Sequence, residues 1–162
     1  MMYDRKSALS SRSIISLVMT VALPVCHLGS SQAAENWPQW RGPDGLGVGA
    51  AAEYPVQFSP DENVIWKVDL PGNGSSTPAV WGDQIFVTCE IDGKDGVLCY
   101  GFDGELQWQR TLGKGRQGRH RNGSGCNPSP VTDGQHVVVY FKSGTVACLS
   151  AGGDVLWKHN LQ

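Results

Sequence analysis

Five basic side chains crowd into eight residues of this chain: Lys114, Arg116, Arg119, His120 and Arg121, within the glycine-rich stretch GKGRQGRHRNGSGCN at positions 113–127. Groups of this kind hold carboxylate, sulfate or phosphate oxygens through charge-assisted hydrogen bonds. The stretch is therefore the candidate anion- or partner-binding loop, with a solvated connection as the plain alternative. Residues 113–118 also spell G-x-G-x-x-G. A dinucleotide loop of that form must open a helix whose N-terminus faces the pyrophosphate, and the following RHRNGSG cannot start one. Ser124 lies between two glycines, but without the five-residue spacing that exposes a nucleophile between strand and helix. His120, His136 and His159 show no metal-ligand spacing, and His159 falls on an alternate, solvent-facing strand position. Asp92 and Asp95 in DGKDG match a weak Ca²⁺ loop, yet a hairpin turn accounts for them without an ion. No catalytic, cofactor-binding or metal-binding residue is assigned. Asn73 and Asn122 open N-G-S sequons, relevant only in a host that glycosylates them.

These residues sit in a chain that repeats itself. Residues 99–112 (CYGFDGELQWQRTL) recur as 148–161 (CLSAGGDVLWKHNL), so that Cys99, Gly104, Trp108 and Leu112 match Cys148, Gly153, Trp157 and Leu161. WKVDL at 66–70 is an earlier copy of the Trp-x-x-x-Leu end, and TPAVWGDQIFV at 77–87 aligns without a gap on SPVTDGQHVVV at 129–139. A unit of roughly 40 to 50 residues built from strands is the period of propeller blades. Cys89, Cys99, Cys126 and Cys148 form an even set, which permits disulfides in an exported chain. Because Cys99 and Cys148 occupy one repeat position, buried packing is the favoured role. Cys89 and Cys99 flank one hairpin and are the pair to test for a bridge.

The alternation predicts strands at 63–70, 77–80, 85–89, 97–100 and 105–111, with turns at WGDQ and IDGKDG. The last four make one antiparallel blade, 61–112. A second blade follows over 113–162, entered through the basic loop and carrying a shorter inner hairpin at 141–144. Residues 35–60 are dense in Gly and Pro and read as an extended arm whose Trp37 and Trp40 dock on the first repeat. The fold class expected is all-β: a partial β-propeller of about two four-stranded antiparallel blades.

Residues 1–34 carry Arg5, Lys6 and Arg12, an apolar run over 14–25 and a small-residue stretch ending in Ala33 and Ala34. That order is the pattern of a signal peptide cut after Ala33 or Ala34. LPVC at 23–26 offers lipidation at Cys26, although Val25 suits that site poorly. Removing the signal takes Lys and Arg from 13 to 10 and Asp and Glu from 15 to 14, leaving a net charge of about −4. Such a balance argues against nucleic acid or an anionic membrane surface as the main partner, and the remaining chain holds no transmembrane segment.

The arm WPQWRGPDGLG, the TPAVWGDQIFV and SPVTDGQHVVVYF blocks and the C-x4-G-x3-W strands together resemble the N-terminal part of the PQQ-like (pyrroloquinoline-quinone-repeat) β-propeller proteins exported by planctomycete-type bacteria. The likeness covers essentially the whole chain after the signal. It implies a propeller of several blades, related to quinoprotein alcohol dehydrogenases and to the propeller lipoprotein of outer-membrane protein assembly. Quinoprotein repeats usually read Ala-x-Asp-x-x-Thr-Gly before the tryptophan. Here Cys99-x-Gly101 and Cys148-x-Ser150 stand in the first positions, and Asp103-Gly104 and Gly152-Gly153 replace Thr-Gly. These changes weaken the link to cofactor-binding members and leave the blade-docking Gly104, Trp108, Gly153 and Trp157 in place.

The resulting expectation is an exported repeat protein of the periplasm or cell surface, binding or scaffolding rather than catalysing. Its partners would be further blades of the same propeller or another protein. No cofactor is expected here, since PQQ would enter only through blades not in this chain. The alternatives are the N-terminal part of a quinone-dependent dehydrogenase and the extracytoplasmic sensor region of a signalling protein. Repeat folds need about three units before buried area outweighs chain entropy. The 162-residue chain alone is therefore expected to be aggregated, oligomeric or poorly folded, and its gene to continue into more blades.

Overall fold

A computed structural model describes residues 36–118 and 123–162; the signal segment with Cys26, and Arg119, His120 and Arg121, lie outside the described residues. Eight strands make two sheets. The first holds β1 (Ala79–Trp81), β2 (Gln84–Ile91), β3 (Lys94–Gly101) and β4 (Leu106–Lys114), the second β5 (Val131–Thr132), β6 (His136–Tyr140), β7 (Thr145–Ser150) and β8 (Val155–Asn160). Each sheet is antiparallel in simple sequence order. Local chemistry sets the turns: Asp92 and Gly93 have φ of 49° and 73°, the paired positive values of a two-residue hairpin turn that Asp-Gly favours. The tight turn lets Lys94–Gly96 join the ladder, so β3 begins three residues before the predicted Val97.

The main core fills the space between the sheets, where Phe86, Val97, Cys99 and Leu112 of the first share a cluster with Val137, Val139, Ala147 and Leu149 of the second. Each buried Phe, Val or Leu side chain among them contributes about 1.5–3 kcal/mol relative to leaving it in water. The period-2 alternation then puts Val87, Cys89, Leu98 and Tyr100 in a second cluster on the other face of the first sheet. That division rules out the Cys89–Cys99 bridge. Cys99 pairs with Phe86 and Cys89 with Gly96, so the two cysteines lie on opposite faces and about 10 Å apart along the ladder, beyond disulfide reach. All four described cysteines are free and buried.

Two tryptophans lock neighbouring units by the same device. The Trp108 indole lies against Gly153, where an added Cβ would be 2.6 Å from the ring, and its Nε1–H donates to the Ala151 carbonyl at 2.9 Å. Trp66 lies likewise against Gly104 and donates to the Phe102 carbonyl at 2.6 Å. Residues 63–70 are nevertheless not a strand: no ladder forms among the described residues, and Ile65 is 97% exposed. Alternation alone cannot make a strand when no neighbour supplies backbone partners. Trp66 thus occupies the place of a preceding unit's outer strand without that unit's sheet.

Trp157, a blade-docking position by the repeat like Trp108, is 43% exposed. It belongs to the far face of the second sheet, which no described residue seals. Val138 there is 37% exposed, whereas Phe86 at the matching repeat position is fully buried. The arm departs from expectation in part. Trp37 pairs with Val80 through both backbone bonds, 2.9 and 2.8 Å, and the Pro38 carbonyl accepts from Thr132 N at 2.9 Å, so the arm bridges the first strands of both sheets. Trp40 instead stays 63% exposed beneath the Arg41 guanidinium, 5.5 Å from its ring.

Candidate functional site: the basic end of the sheets

Antiparallel order places alternate turns at opposite ends of a sheet. The β1–β2, β3–β4, β5–β6 and β7–β8 turns share one end and carry Asp83, Asp103, Glu105, Asp133 and Asp154 with no Lys or Arg. Opposite them, the β2–β3 and β6–β7 turns, the end of β4 and the loop after it gather Lys94, Lys114, Arg116 and Lys142, with Lys158 near the end of β8. Asp92 and Glu90 temper that end only in part. The described residues contain one ion pair, and it lies at the acidic end, His136 Nδ1 to Asp133 at 3.0 Å. The His136 side-chain bond, together with the backbone N–H groups of His136 and Gln135 that also donate to Asp133, holds its carboxyl well below the usual range.

The basic loop is anchored at its base. Lys114 closes β4 rather than belonging to the loop, and Gly115 N donates to the Gly93 carbonyl at 2.9 Å. Gly118 and Gly125 let the two legs meet backbone to backbone, since a side chain at either would collide with Gly123 or Arg116. Lys142 ties the outgoing leg to the β6–β7 turn, its Nζ donating to the Gln117 carbonyl at 2.7 Å, and Arg116 donates to the Gln162 side chain at 3.0 Å. Among the described residues no helix follows the G-x-G-x-x-G word.

Beneath this end lies a buried polar knot. Asp95 is fully buried, with one carboxylate oxygen accepting from Ser143 Oγ at 2.5 Å and the other without a partner. Ser143 Oγ also lies 2.9 Å from Thr145 Oγ1. Asp92 is exposed in its turn, so the two aspartates do not converge on an ion. Burial pushes the Asp95 carboxyl up, against the bonds from Ser143 and Thr145. A value raised above that of the unfolded chain means that the folded state holds the proton more tightly. Its stabilising contribution is thus complete below the unfolded value and is lost as pH rises through the folded one. Asp95→Asn is expected to melt higher than the parent at pH 7 and to lose this part of the pH dependence; an unchanged profile in thermal melts from pH 4 to 7 would show the carboxylate to be satisfied.

Burial also raises the four thiols, with Cys99 and Cys126 pushed up to about 11, so they supply no thiolate at neutral pH. A further cleft of about 420 Å³ lies where arm and sheets meet, lined by Gln39, Trp40, Thr77 and Ser129 among others, and its lining includes no ionisable side chain. Among the described residues no three His, Cys, Asp or Glu side chains gather as a metal site, and no helix is long and apolar enough to cross a membrane.

Residues 56–162 match the family model described as outer membrane protein assembly factor BamB, a PQQ-like repeat. The chain belongs to the PQQ-like repeat family. No curated protein matches it. The two sheets of this PQQ-like chain are blades of the β-propeller type, and their repeat positions have defined partners: Cys99 faces Trp108 and Cys148 faces Trp157 across the ladder. Lys94, Lys142, Lys158 and Asp95 join the basic end although they lie outside the basic loop. Counting turns from the first hairpin would have placed all four there.

Proposed function

We propose that the chain is an exported PQQ-like propeller module with a binding or scaffolding role, which meets further blades through its open face and an anionic partner through its basic end. The opposite charge of the two ends carries this reading. Loops at one end of a propeller commonly form the binding face, and on a chain of net charge −2 five of the eight described Lys and Arg residues lie at that end, against none in the turns of the other. The role of assembly factor named in the family description agrees with scaffolding.

The open face supports the companion partner. Val131, Val138, Trp157 and Leu161 are exposed where their repeat equivalents Ala79, Phe86, Trp108 and Leu112 pack against the second blade. A contiguous apolar face of this kind marks a contact surface.

Binding of polyglutamate by the full chain, followed as a function of salt, tests the charged end. Association is expected to weaken as salt rises. The combined Arg116, Arg119 and Arg121→Ala variant should bind at least tenfold more weakly while its stability changes by less than about 0.5 kcal/mol. Retention of polylysine in place of polyglutamate would make the acidic end the binding face and overturn the proposal. Unfolding of the triple variant would show that the loop is structural.

A further inference from the structure

Between the two blades, at the basic end, lies a cleft of about 410 Å³ whose lining includes Gly113, Lys114, Ser143, Thr145, Lys158 and Asn160. Three observations concern its charge. Lys114 stands directly across the ladder from Lys94, an opposition of like charges that disfavours the folded sheet. Neither lysine has a carboxylate within ion-pair distance among the described residues. Lys158 reaches across the seam to donate one hydrogen bond to the Leu112 carbonyl at 2.7 Å, which leaves the other donors of its ammonium group uncommitted. Asp95, the nearest buried acid, turns to Ser143 and neutralises neither lysine.

At the floor the two blades approach closely. Gly113 contributes bare backbone, and a Cβ at that position would stand 2.5 Å from Thr145 Oγ1. Ser143 and Thr145 supply hydroxyls beside it, and Asn160 is held by its amide donating to the Ser143 carbonyl at 3.4 Å. Two lysines thus line one cleft with free donors and no internal anion to satisfy them.

The geometry points to a seat for one oxyanion group, a carboxylate, sulfate or phosphate, held by Lys114 and Lys158 in the seam between the blades. This inference rests on the basic end being a binding face, and it localises one ligand group there, apart from the loop of Arg116, Arg119 and Arg121. The oxyanion comes either as a free small ion or as a carboxylate carried on a bound acidic chain, and the cleft has room for the body to which it is attached.

Calorimetric titration of the full chain with sodium sulfate, at ionic strength held constant with sodium chloride, reads the seat directly. Saturable one-to-one binding is expected. Lys114→Gln and Lys158→Gln should each weaken it about tenfold or more, as loss of a hydrogen bond to a charged group does. Lys67→Gln, exposed in the segment before the first sheet and outside the cleft lining, should change it less than twofold. Because Lys158→Gln also removes a bond across the seam, Lys114→Gln decides the matter if the former fails to fold. Equal weakening in all three variants would reduce the effect to diffuse charge and overturn the seat. Polyglutamate binding without sulfate binding would overturn the seat and leave the basic face standing, whereas absence of both removes both. Displacement of sulfate by polyglutamate would identify the carboxylate of an acidic chain as a source, and displacement by free phosphate alone a small ion.

Discussion

Trp108→Ala is expected to lower the unfolding free energy by about 3 kcal/mol or more, within the range for truncating a packed tryptophan, while Trp157→Ala costs less than about 1 kcal/mol. The two residues occupy one repeat position and face matching cysteines across the ladder, so their difference isolates what the neighbouring blade adds. Trp108 packs 6.0 Å from the Phe86 ring, lies over Gly153 and satisfies the Ala151 carbonyl at 2.9 Å. Its loss opens a cavity in the core between the blades and removes one of two donors to that carbonyl, leaving only the Gln84 side-chain amide at 3.2 Å. Trp157 lies 5.7 Å from the His159 ring and remains 43% exposed. Urea unfolding of both variants tests the contrast. Equal losses would mean that the open face is covered in solution, by a second copy or by chain docked on it, and the isolated blade pair described above would be the wrong unit.

Substitution of the glycine beneath the ring should be nearly as severe. Gly153 has φ of 89°, and an added Cβ would stand 2.6 Å from the Trp108 ring. Gly153→Ala therefore combines a left-handed backbone, about 1–2 kcal/mol, with overpacking at a rigid aromatic, about 1–3 kcal/mol. Gly93 separates the two effects. Its φ is 73° and nothing lies within 4 Å of an added Cβ, so Gly93→Ala should carry the backbone cost alone. Thermal melts of the two variants, read beside the indole fluorescence of Trp108, check the prediction. A Gly153→Ala protein no less stable than Gly93→Ala would show that the indole slides aside at little cost, and that the tryptophan contact is not what fixes one blade against the next.

The sequence by itself determined the features that depend on near neighbours. Turn residues such as Asp92-Gly93 select their backbone angles locally, and strand alternation needs only the side chains on either side, so the two four-stranded antiparallel sets of the described residues were legible from residue types. The repeat also named the docking positions, Gly104, Trp108, Gly153 and Trp157. Only the tertiary structure decided which of them have partners. Trp108 and Trp157 are alike in sequence and differ in burial because packing between sheets is supplied by residues far away in the chain. The segment at 63–70 alternates as well as any strand and forms none, since a ladder needs a second backbone beside it. The basic end divides in the same way. Its loop was visible as a run of charges, but Lys94, Lys114 and Lys158 meet above Ser143, Thr145 and the buried Asp95 only because two sheets place their turns at a common end.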